Sequence, residues 1–354
     1  MMIPGNAVLS PSFVFQKKKN RINKNELYKS ARQALFVGLS KMDLTDKTVW
    51  LPAYNCNSVL YPIKKLGLNY RFYEITEDFL PNFETIENNE NDLILIVHYF
   101  GIVGDIEALK RKCSEKKLSI VEDCAHFLPS EDSEAGKMGI FSIFSLRKQL
   151  PVPDGGILQF NNRQLEEIKK TATAASFKKL ILMIIESVCF KFQFNFIRLK
   201  DRLRGKVKTT EEFFAQRDFK KMNDASGLTK FIFRKQGIKK IKQQRISNFN
   251  LLSELLLSNT KTKLPVKRIS SESMPMALPI FSANGLMMKD FLRKKGIGVD
   301  SWPGDAISDE ISLDSFPITK KISDTILLLP IHQSLQEKHL KKIARAIKKY
   351  EHVG

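Results

Sequence analysis

One short stretch of the chain carries five side chains that suit acid–base or anion-binding chemistry: Asp123, His126, Ser142, Ser145 and Lys148. They lie at or just beyond the ends of apolar, strand-like runs, and in open α/β sheets ligands bind beyond the carboxyl ends of the strands. Taken alone, Asp123 is better explained as the N-cap of a following helix, and Lys148 as a surface lysine of a basic protein. Their order along the chain changes both interpretations.

An aspartate at a strand end, hydroxyls on the next strand and a lysine just beyond are the groups that a pyridoxal 5′-phosphate (PLP) site needs. The aspartate keeps the pyridine nitrogen protonated, so that the ring acts as an electron sink. Hydroxyls and backbone N–H groups bind the phosphate. A lysine that forms a Schiff base needs a held backbone and a partly desolvated amine. The prolines and glycines of 151–156 predict an extended turn, so we place Lys148 on a constrained loop.

The first 150 residues alternate strand-like apolar runs with helical patterns. The strand-like runs are Val49–Ala53, Tyr70–Ile75, Leu93–Tyr99, Leu118–Cys124 and Ile140–Ser145. The helix-like stretches include Glu26–Lys41, Ser58–Leu66 and Ile106–Lys117. This alternation predicts βαβ units and a large α/β domain with a mostly parallel sheet.

A smaller α+β domain is expected to follow, so we divide the chain into 1–221 and 222–354. Helices are predicted at Lys230–Leu257, Gly285–Lys295 and Leu335–Tyr350, and strands at Met276–Phe281 and Asp324–Leu329.

An apolar and basic insertion occupies about 164–208. From Lys178 to Lys208 it has nine Lys or Arg against two Asp or Glu. Charges interrupt its apolar runs, so we reject a transmembrane span, which needs about 20 predominantly apolar residues. Two interpretations remain open: a helix packed on the core or on a partner subunit, and a basic amphipathic segment on a membrane surface.

Composition limits the class of protein. The chain has 354 residues, of which 43% are hydrophobic and 27% charged, which is typical of a globular protein. Its formal charge of +20 favours anionic partners or is simply a solvated basic surface. Cysteines 56, 113, 124 and 189 form no CxxC pair and the Met1 end has no secretory signal, so we expect reduced thiols, no zinc site and a cytoplasmic protein.

Five motifs follow one another with compatible spacing: Leu51-Pro52-Ala53-Tyr54; Val97–Gly101 with Asp105; Val121–His126; Phe141–Ser145 with Lys148 and Gly155-Gly156; and Leu329–His332. Together they resemble the DegT–StrS family of PLP-dependent sugar aminotransferases, which have the aspartate aminotransferase-like fold. The resemblance covers nearly the whole chain. Lys148 argues against the related dehydratases, which carry histidine at that position.

The resemblance implies a role for each site residue. Asp123 pairs with the pyridine nitrogen, and Lys148 is the Schiff-base lysine and the acid–base group. His126 hydrogen-bonds near the phenolic oxygen of the cofactor. Ser142 or Ser145 binds the phosphate.

The segment Ser30–Ala34 stands where the family has the "SGTAA" helix start, so Arg32 and Gln33 are phosphate-site candidates by position. Here Ala31 and Arg32 replace the glycine and threonine of that motif. Cys56 falls beside the expected ring, where many members have a larger side chain. The family's "NYRM" asparagine has no counterpart, because Phe219–Met222 stands in its place.

The resemblance implies a homodimer that transfers an amino group from an amino acid, by resemblance L-glutamate, to a keto sugar, expected to be nucleotide-linked, for surface polysaccharide or related biosynthesis. The alternative is a catalytically altered member that acts as a membrane-associated partner in polysaccharide assembly, through 178–208. Nucleic-acid binding rests on charge alone, and we expect no specific nucleic acid. His98 and His332 are either packed or active-site histidines, and Trp302 either lines the substrate mouth or packs at the rim.

Overall fold

The structure is a computed structural model that describes residues 2–9, 26–161, 168–197, 219, 221–303 and 310–353. Phe219 and residues 221–222 lie within these ranges, whereas all of 198–218 and all of 304–309 lie outside them. The predicted basic segment is therefore described only as far as residue 197.

A seven-stranded sheet forms the centre of the described chain. Its strands are β1 (Leu27–Tyr28), β2 (Thr48–Pro52), β3 (Asn69–Tyr73), β4 (Leu93–Val97), β5 (Ser119–Cys124), β6 (Phe141–Ser145) and β7 (Gly156–Phe160). They lie in the order β1-β7-β6-β5-β4-β2-β3. The pairs from β3 to β6 are parallel, and β7 and β1 add an antiparallel edge. The predicted α/β fold with a mostly parallel sheet is confirmed.

A second sheet pairs β8 (Ala277–Phe281) with β9 (Ile326–Pro330) in antiparallel fashion. The helices of the described ranges are α1 (Ala31–Ser40), α2 (Asn57–Lys65), α3 (Ile106–Glu115), α4 (Leu146–Gln149), α5 (Phe177–Phe192), α6 (Gly227–Arg234), α7 (Ile238–Asn259), α8 (Gly285–Lys294), α9 (Pro317–Thr325) and α10 (Glu337–Val353).

The large sheet is apolar on both faces, as its near-continuous apolar strands predict. Leu93 and Leu95 of β4 pack into the core beneath α1 and α2, while Ile94 and Ile96 pack into the core on the other face. Because side chains alternate along a strand, the same rule divides β6: Ile143 lies on the α1 side and Phe144 on the opposite side.

The five strands predicted in the first 150 residues are all present, with ends shifted by no more than two residues. The predicted helix Glu26–Lys41 is wrong at its start, because Leu27 and Tyr28 form β1 against β7. The helix α1 begins only at Ala31, where the Ser30 side chain accepts the N–H of Gln33 and caps it.

The predicted single helix Lys230–Leu257 is also wrong. The chain forms two helices, α6 and α7, which are separated at residues 235–237. Ser226 caps the first by accepting the N–H of Thr229, and Gly237 precedes the second. Glycine disfavours a helix interior, which explains a break at this position.

The small sheet forms its own core with α7, α8 and α10. Ile3 joins this core, and its backbone bonds to Gly296 and Gly298. The predicted strand Asp324–Leu329 begins later, at Ile326, because Asp324 and Thr325 end α9. The division of the chain at residue 222 stays a prediction.

None of the described helices is long and apolar enough to cross a membrane.

Gly156 allows β7 to lie against the start of α1. A Cβ at this position would come within 2.1 Å of the Ser30 carbonyl carbon and 2.2 Å of the Ala31 nitrogen. Both are backbone atoms, so the helix start itself would have to move.

We therefore expect Gly156→Ala to lower the free energy of unfolding by about 1–3 kcal/mol or more, as overpacking does. Urea denaturation measures the loss. Gly227→Ala is the matched control, because a Cβ there has no atom within 4 Å. Equal stability of the two variants would contradict the close approach of β7 to α1.

Candidate active site

The predicted site residues converge where β5 and β6 end and where α1 and α2 begin. The carboxyl ends of these strands bring Asp123 and Ser145 to one pocket, and the two helices present their N-termini to it. Its polar and aromatic lining consists of Ser30, Arg32, Asn55, Cys56, Ser58, Asp123, Ser145, Arg147, Lys148 and Trp302. A pocket at strand ends and helix N-termini suits a ligand with an anionic group.

Lys148 lies in this pocket, on the one-turn helix α4 and not on the loop that the sequence predicted. The turn closes because the Leu150 N–H bonds to the Leu146 carbonyl at 2.8 Å. The ammonium lies 5.9 Å from the centre of the Trp302 ring. Burial lowers the pKa of Lys148, and the opposing charge of Asp123 offsets only part of that shift. A lowered pKa favours the neutral, nucleophilic amine.

Asp123 is buried at the end of β5, with one carboxylate oxygen accepting the Ala125 N–H at 2.8 Å. Burial raises the pKa of this carboxyl, and the nearby Lys148 charge opposes the rise. An acid held in this way is stabilised as a carboxylate by a cationic partner, such as a protonated ring nitrogen.

His126 is buried and neutral, because burial and then the charge of Lys148 hold its pKa well below the usual range. Its Nδ1 accepts the Phe100 N–H at 2.9 Å, so the proton is assigned to Nε2. That Nε2 has no hydrogen-bond partner among the described residues. The ring stacks on Phe100 and meets Trp302 edge-on at 5.0 Å between ring centres.

Trp302 therefore fulfils both alternatives considered for it, since it lines the pocket and packs against His126. The other two histidines are bonded in the interior. His98 Nε2 lies 2.8 Å from a Glu122 oxygen, and His332 Nε2 lies 3.0 Å from the Pro4 carbonyl. Neither lines the pocket.

Glu122, next to Asp123, holds a loop rather than a ligand. Its two oxygens accept backbone N–H groups of Gly136, Met138 and Gly139 at 2.6–3.1 Å, in addition to the contact with His98. His98, Glu122 and Cys124 stand close enough to hold a metal ion. The hydrogen bonds of Glu122 already account for this arrangement, and the expectation of no metal stays a prediction.

The two candidate serines lie on opposite faces of β6. Ser145 lines the pocket, together with Ile143. Ser142 is buried on the other side, where a Cβ on Gly136 would lie 3.4 Å from its hydroxyl. The structure therefore brings Ser145 and not Ser142 to Lys148.

The start of α1 forms another wall of the pocket. Arg32 lines it and donates from Nε to the Ser58 carbonyl at 3.2 Å. Gln33 is buried outside this lining. Cys56 lines the pocket as the N-cap residue of α2. The helix start thus offers its N-terminal dipole to the pocket, as expected for a phosphate site.

Asn55 is a pocket residue that the sequence reasoning missed. Its side-chain oxygen accepts the Cys56 N–H at 2.7 Å, and its buried amide nitrogen has no partner in the described part of the chain. A signal was available in the sequence, because Asn55 comes shortly after the end of β2 and Asp123 lies near the end of β5.

Gln149 and Arg245 were also missed, and both hold α4 in place. The side chain of Gln149 donates to the carbonyls of His126 at 2.5 Å and Met274 at 3.0 Å. Arg245 donates from Nη2 to the Gln149 carbonyl at 3.1 Å. No local pattern links residues so far apart in the chain.

The chain matches the sequence profile of the DegT/DnrJ/EryC1/StrS aminotransferase family over residues 27–198. Residues 27–198 belong to this family. The matched part contains β1 to β7, the helix starts and every side chain from Arg32 to Lys148 discussed above. A sequence search of curated proteins finds no significant match.

Solved structures with the same fold span almost the whole chain. A putative sugar aminotransferase from Streptococcus pneumoniae in its PLP form has a TM-score of 0.70 at 14% identity, covering 100% of this chain and 99% of that one. PseC from Helicobacter pylori, an aminotransferase involved in pseudoaminic acid biosynthesis, has a TM-score of 0.66 at 15% identity, with 100% of both chains covered. A GDP-4-keto-6-deoxymannose-3-dehydratase has a TM-score of 0.63 at 12% identity. The predicted fold is confirmed, and the predicted family is confirmed for residues 27–198.

The residues present fit PLP, the cofactor of this aminotransferase family. A desolvated lysine and a buried aspartate face one pocket. Helix α1 presents its N-terminus to the same pocket. The buried donors Asn55 Nδ2 and His126 Nε2, in or beside it, lack partners among the described residues, as expected of groups that a ligand satisfies.

Glu122 also generates a prediction about pH. Burial raises its pKa, but His98 and the N–H groups of Gly136 and Gly139 outweigh this, so the pKa is lowered overall. Such a carboxylate adds stability above its unfolded pKa of about 4.3, and this contribution is lost as the pH falls toward the folded value.

We expect Glu122→Gln to lose about 1–3 kcal/mol at neutral pH, because charge-assisted bonds are weakened and buried N–H groups are left poorly paired. The deficit should shrink as the pH falls below about 4, where the wild-type carboxylate is itself protonated. Thermal unfolding as a function of pH measures both effects. The exposed Glu87→Gln is the control, and a deficit that does not vary with pH would contradict the role of the charge.

Proposed function

We propose that the chain is a PLP-dependent aminotransferase that moves an amino group from an amino acid, expected to be L-glutamate, to a keto sugar carried on a nucleotide. The observation that carries the proposal is the pocket in which Lys148 and Asp123 meet beside the N-terminus of α1. The family match supports the type of reaction. The sugar aminotransferases among the similar folds support the class of acceptor.

Four groups would hold the cofactor. Asp123 would hold the protonated pyridine nitrogen, and the α1 N-terminus with Ser145 would hold the phosphate. His126, whose Nε2 carries a proton without a partner, would donate to a cofactor oxygen. Cys56 and Asn55 would lie along the same wall. When bound, PLP supplies an electron sink that eases proton loss from the α-carbon of the amino acid.

Lys148 would move the proton. A general base works best when its pKa lies near the operating pH, and burial shifts the pKa of Lys148 downward. Trp302 lies over its ammonium and excludes water from that side. The hydrogen bonds of Gln149 hold the turn that carries it. These residues thus position one partly exposed amine inside the pocket.

A second cavity lies beyond Trp302 and suits the acceptor. It shares Trp302 with the first pocket and is also lined by Arg293, Asp300, Ser301 and Glu186. Hydroxyl groups of a sugar would find donors and acceptors here. The charge of +20 suits the diphosphate of a nucleotide-linked acceptor.

The catalytically altered alternative gains no support from the comparisons. Lys148 and Asp123, the two groups that chemistry requires, are both in the pocket. A homodimer, a cytoplasmic location and a role in surface polysaccharide biosynthesis remain part of the proposal through the family resemblance.

The cofactor assignment is tested by absorbance. Purified protein mixed with PLP should absorb in the visible, and L-glutamate should shift that band to shorter wavelength. Lys148→Ala should abolish the visible band and the transferase activity, because no other lysine lines the pocket. Borohydride should attach the cofactor permanently to Lys148, as peptide mass mapping would show.

The control for this variant is Lys65→Ala, which removes an exposed lysine and should change neither spectrum nor activity. A protein that gives no visible band with PLP, or a Lys148→Ala variant that keeps full activity, would disprove the proposal.

Asp123 gives a separate test. Asp123→Asn keeps the shape but removes the charge that holds a proton on the ring nitrogen, so kcat should fall by about a hundredfold or more. The band with PLP should persist, because Lys148 is intact. Asp46→Asn, an exposed aspartate, is the matched control. If kcat were unchanged in Asp123→Asn, a residue other than Asp123 would have to hold the proton on the ring nitrogen.

A further inference from the structure

The outer face of α5 is an apolar stripe. Its members are Phe177, Ile181, Ile184, Ile185, Val188 and Phe192. The exposed fraction of Phe177 is 75%, of Val188 47% and of Phe192 61%. At about 100° per residue, all six side chains fall within an arc of about 100° on one side of the helix. This α5 stripe continues into Phe194, which is 68% exposed.

Two lysines flank the α5 stripe. Lys178 and Lys191 are exposed and lie about 20° outside its two edges. Residues 198–208, the sequence that follows, add six more Lys or Arg and one Asp. An apolar face with basic residues at its borders is typical of helices that lie in the plane of a membrane surface.

The opposite face of α5 is held by the protein, so the α5 stripe has a fixed direction. Phe190 packs 5.3 Å from His339 of α10, and Lys179 donates to the Pro153 carbonyl at 3.1 Å. Ser187 accepts the Leu9 N–H at 3.0 Å. The α5 stripe is therefore not the face through which this helix packs on the rest of the protein.

We propose that the α5 stripe lies in the surface of an anionic lipid bilayer, with the helix axis parallel to the membrane. Its apolar side chains enter the boundary of the acyl chains, and Lys178 and Lys191 meet lipid phosphates. The charge of +20 adds a long-range attraction to the same surface.

Charge complementarity favours lipid over a second copy of the chain. If two α5 stripes packed on each other about a two-fold axis, each copy would contribute the same patch. Lys178 and Lys191 of both copies would then border one contact, which brings four lysines together. Like charges oppose such an association, whereas anionic lipid neutralises them.

The same helix reaches the proposed acceptor cavity. Glu186, on the inner side of α5, lines the cavity beyond Trp302, together with Ile197. A bilayer bound to the α5 stripe would therefore be separated from that cavity only by the helix α5.

Sedimentation of the full chain, loaded with PLP, with vesicles tests the proposal. We expect binding to phosphatidylcholine vesicles that contain phosphatidylglycerol, and much less to phosphatidylcholine alone. The triple change Ile181→Gln, Ile184→Gln and Val188→Gln should weaken binding by about tenfold or more, because apolar transfer is lost. Lys178→Gln with Lys191→Gln should weaken binding to the anionic vesicles by about fivefold for each lysine.

Matched controls come from the rest of the surface. Leu286→Gln with Met287→Gln changes apolar residues of α8 that are 78% and 67% exposed, and Lys348→Gln with Lys349→Gln changes exposed lysines of α10. Both controls should bind as wild type does. The visible band with PLP, unchanged in every variant, reports intact folding.

A second readout does not depend on removing side chains. The emission of Ile184→Trp should shift to shorter wavelength on addition of anionic vesicles, and that of Leu286→Trp should not. Absence of vesicle binding, or binding that the triple change leaves intact, overturns the proposal. A triple variant that turns a wild-type dimer into a monomer, while wild type ignores vesicles, assigns the stripe to a second copy and also overturns it.

Discussion

The buried guanidinium of Arg245 fixes the turn on which the pocket depends. Arg245 is 1% exposed, and its four hydrogen bonds in the described structure end on neutral oxygens, of Gln149, Pro275, Met276 and Gln333. Burial lowers its pKa to about 9. A buried cation is costly unless its donors are satisfied. Movement of any one of these oxygens would leave a donor of the guanidinium without a partner, so the four oxygens are held in place together. One of them belongs to the turn that carries Lys148, which ties the C-terminal part of the chain to the pocket.

Two neighbouring acidic residues of β5, Glu122 and Asp123, have different roles: the first holds a loop in place and the second lines the pocket. Glu122 and Asp123 point to opposite faces, as alternate residues of a strand must. Glu122 accepts three backbone N–H groups. Burial raises its pKa, but His98 and the N–H groups of Gly136 and Gly139 outweigh this and lower the pKa overall. Within the described residues Asp123 accepts one N–H group, that of Ala125, and burial raises its pKa. The number of hydrogen bonds that each carboxylate accepts, and not only its burial, decides which of the two is left to bind a cationic partner.

Much of this arrangement is readable from the sequence, because strand ends and glycines are local signals. The apolar runs located β2 to β6, and the order of Asp123, Ser145 and Lys148 located the pocket. The alternation of β6 also implies that Ser142 and Ser145 face opposite sides, although it does not say which side holds the ligand. The hydrogen bond from Arg245 to the Gln149 carbonyl has no local signal, since these distant residues come together only in the folded chain.

Unpartnered buried donors separate the histidine of the pocket from one that is merely packed. His98 and His126 are both buried, but His98 has Glu122 as a partner and His126 Nε2 has none among the described residues. A buried donor without a partner costs about 1–3 kcal/mol, and Asn55 Nδ2 adds a second such cost beside the same pocket. Binding of a ligand with acceptor oxygens would compensate for the cost of burying both donors. The same binding event would bring a cation to Asp123 and an anion to the start of α1, so the buried groups that lack protein partners are those that a zwitterionic cofactor would satisfy.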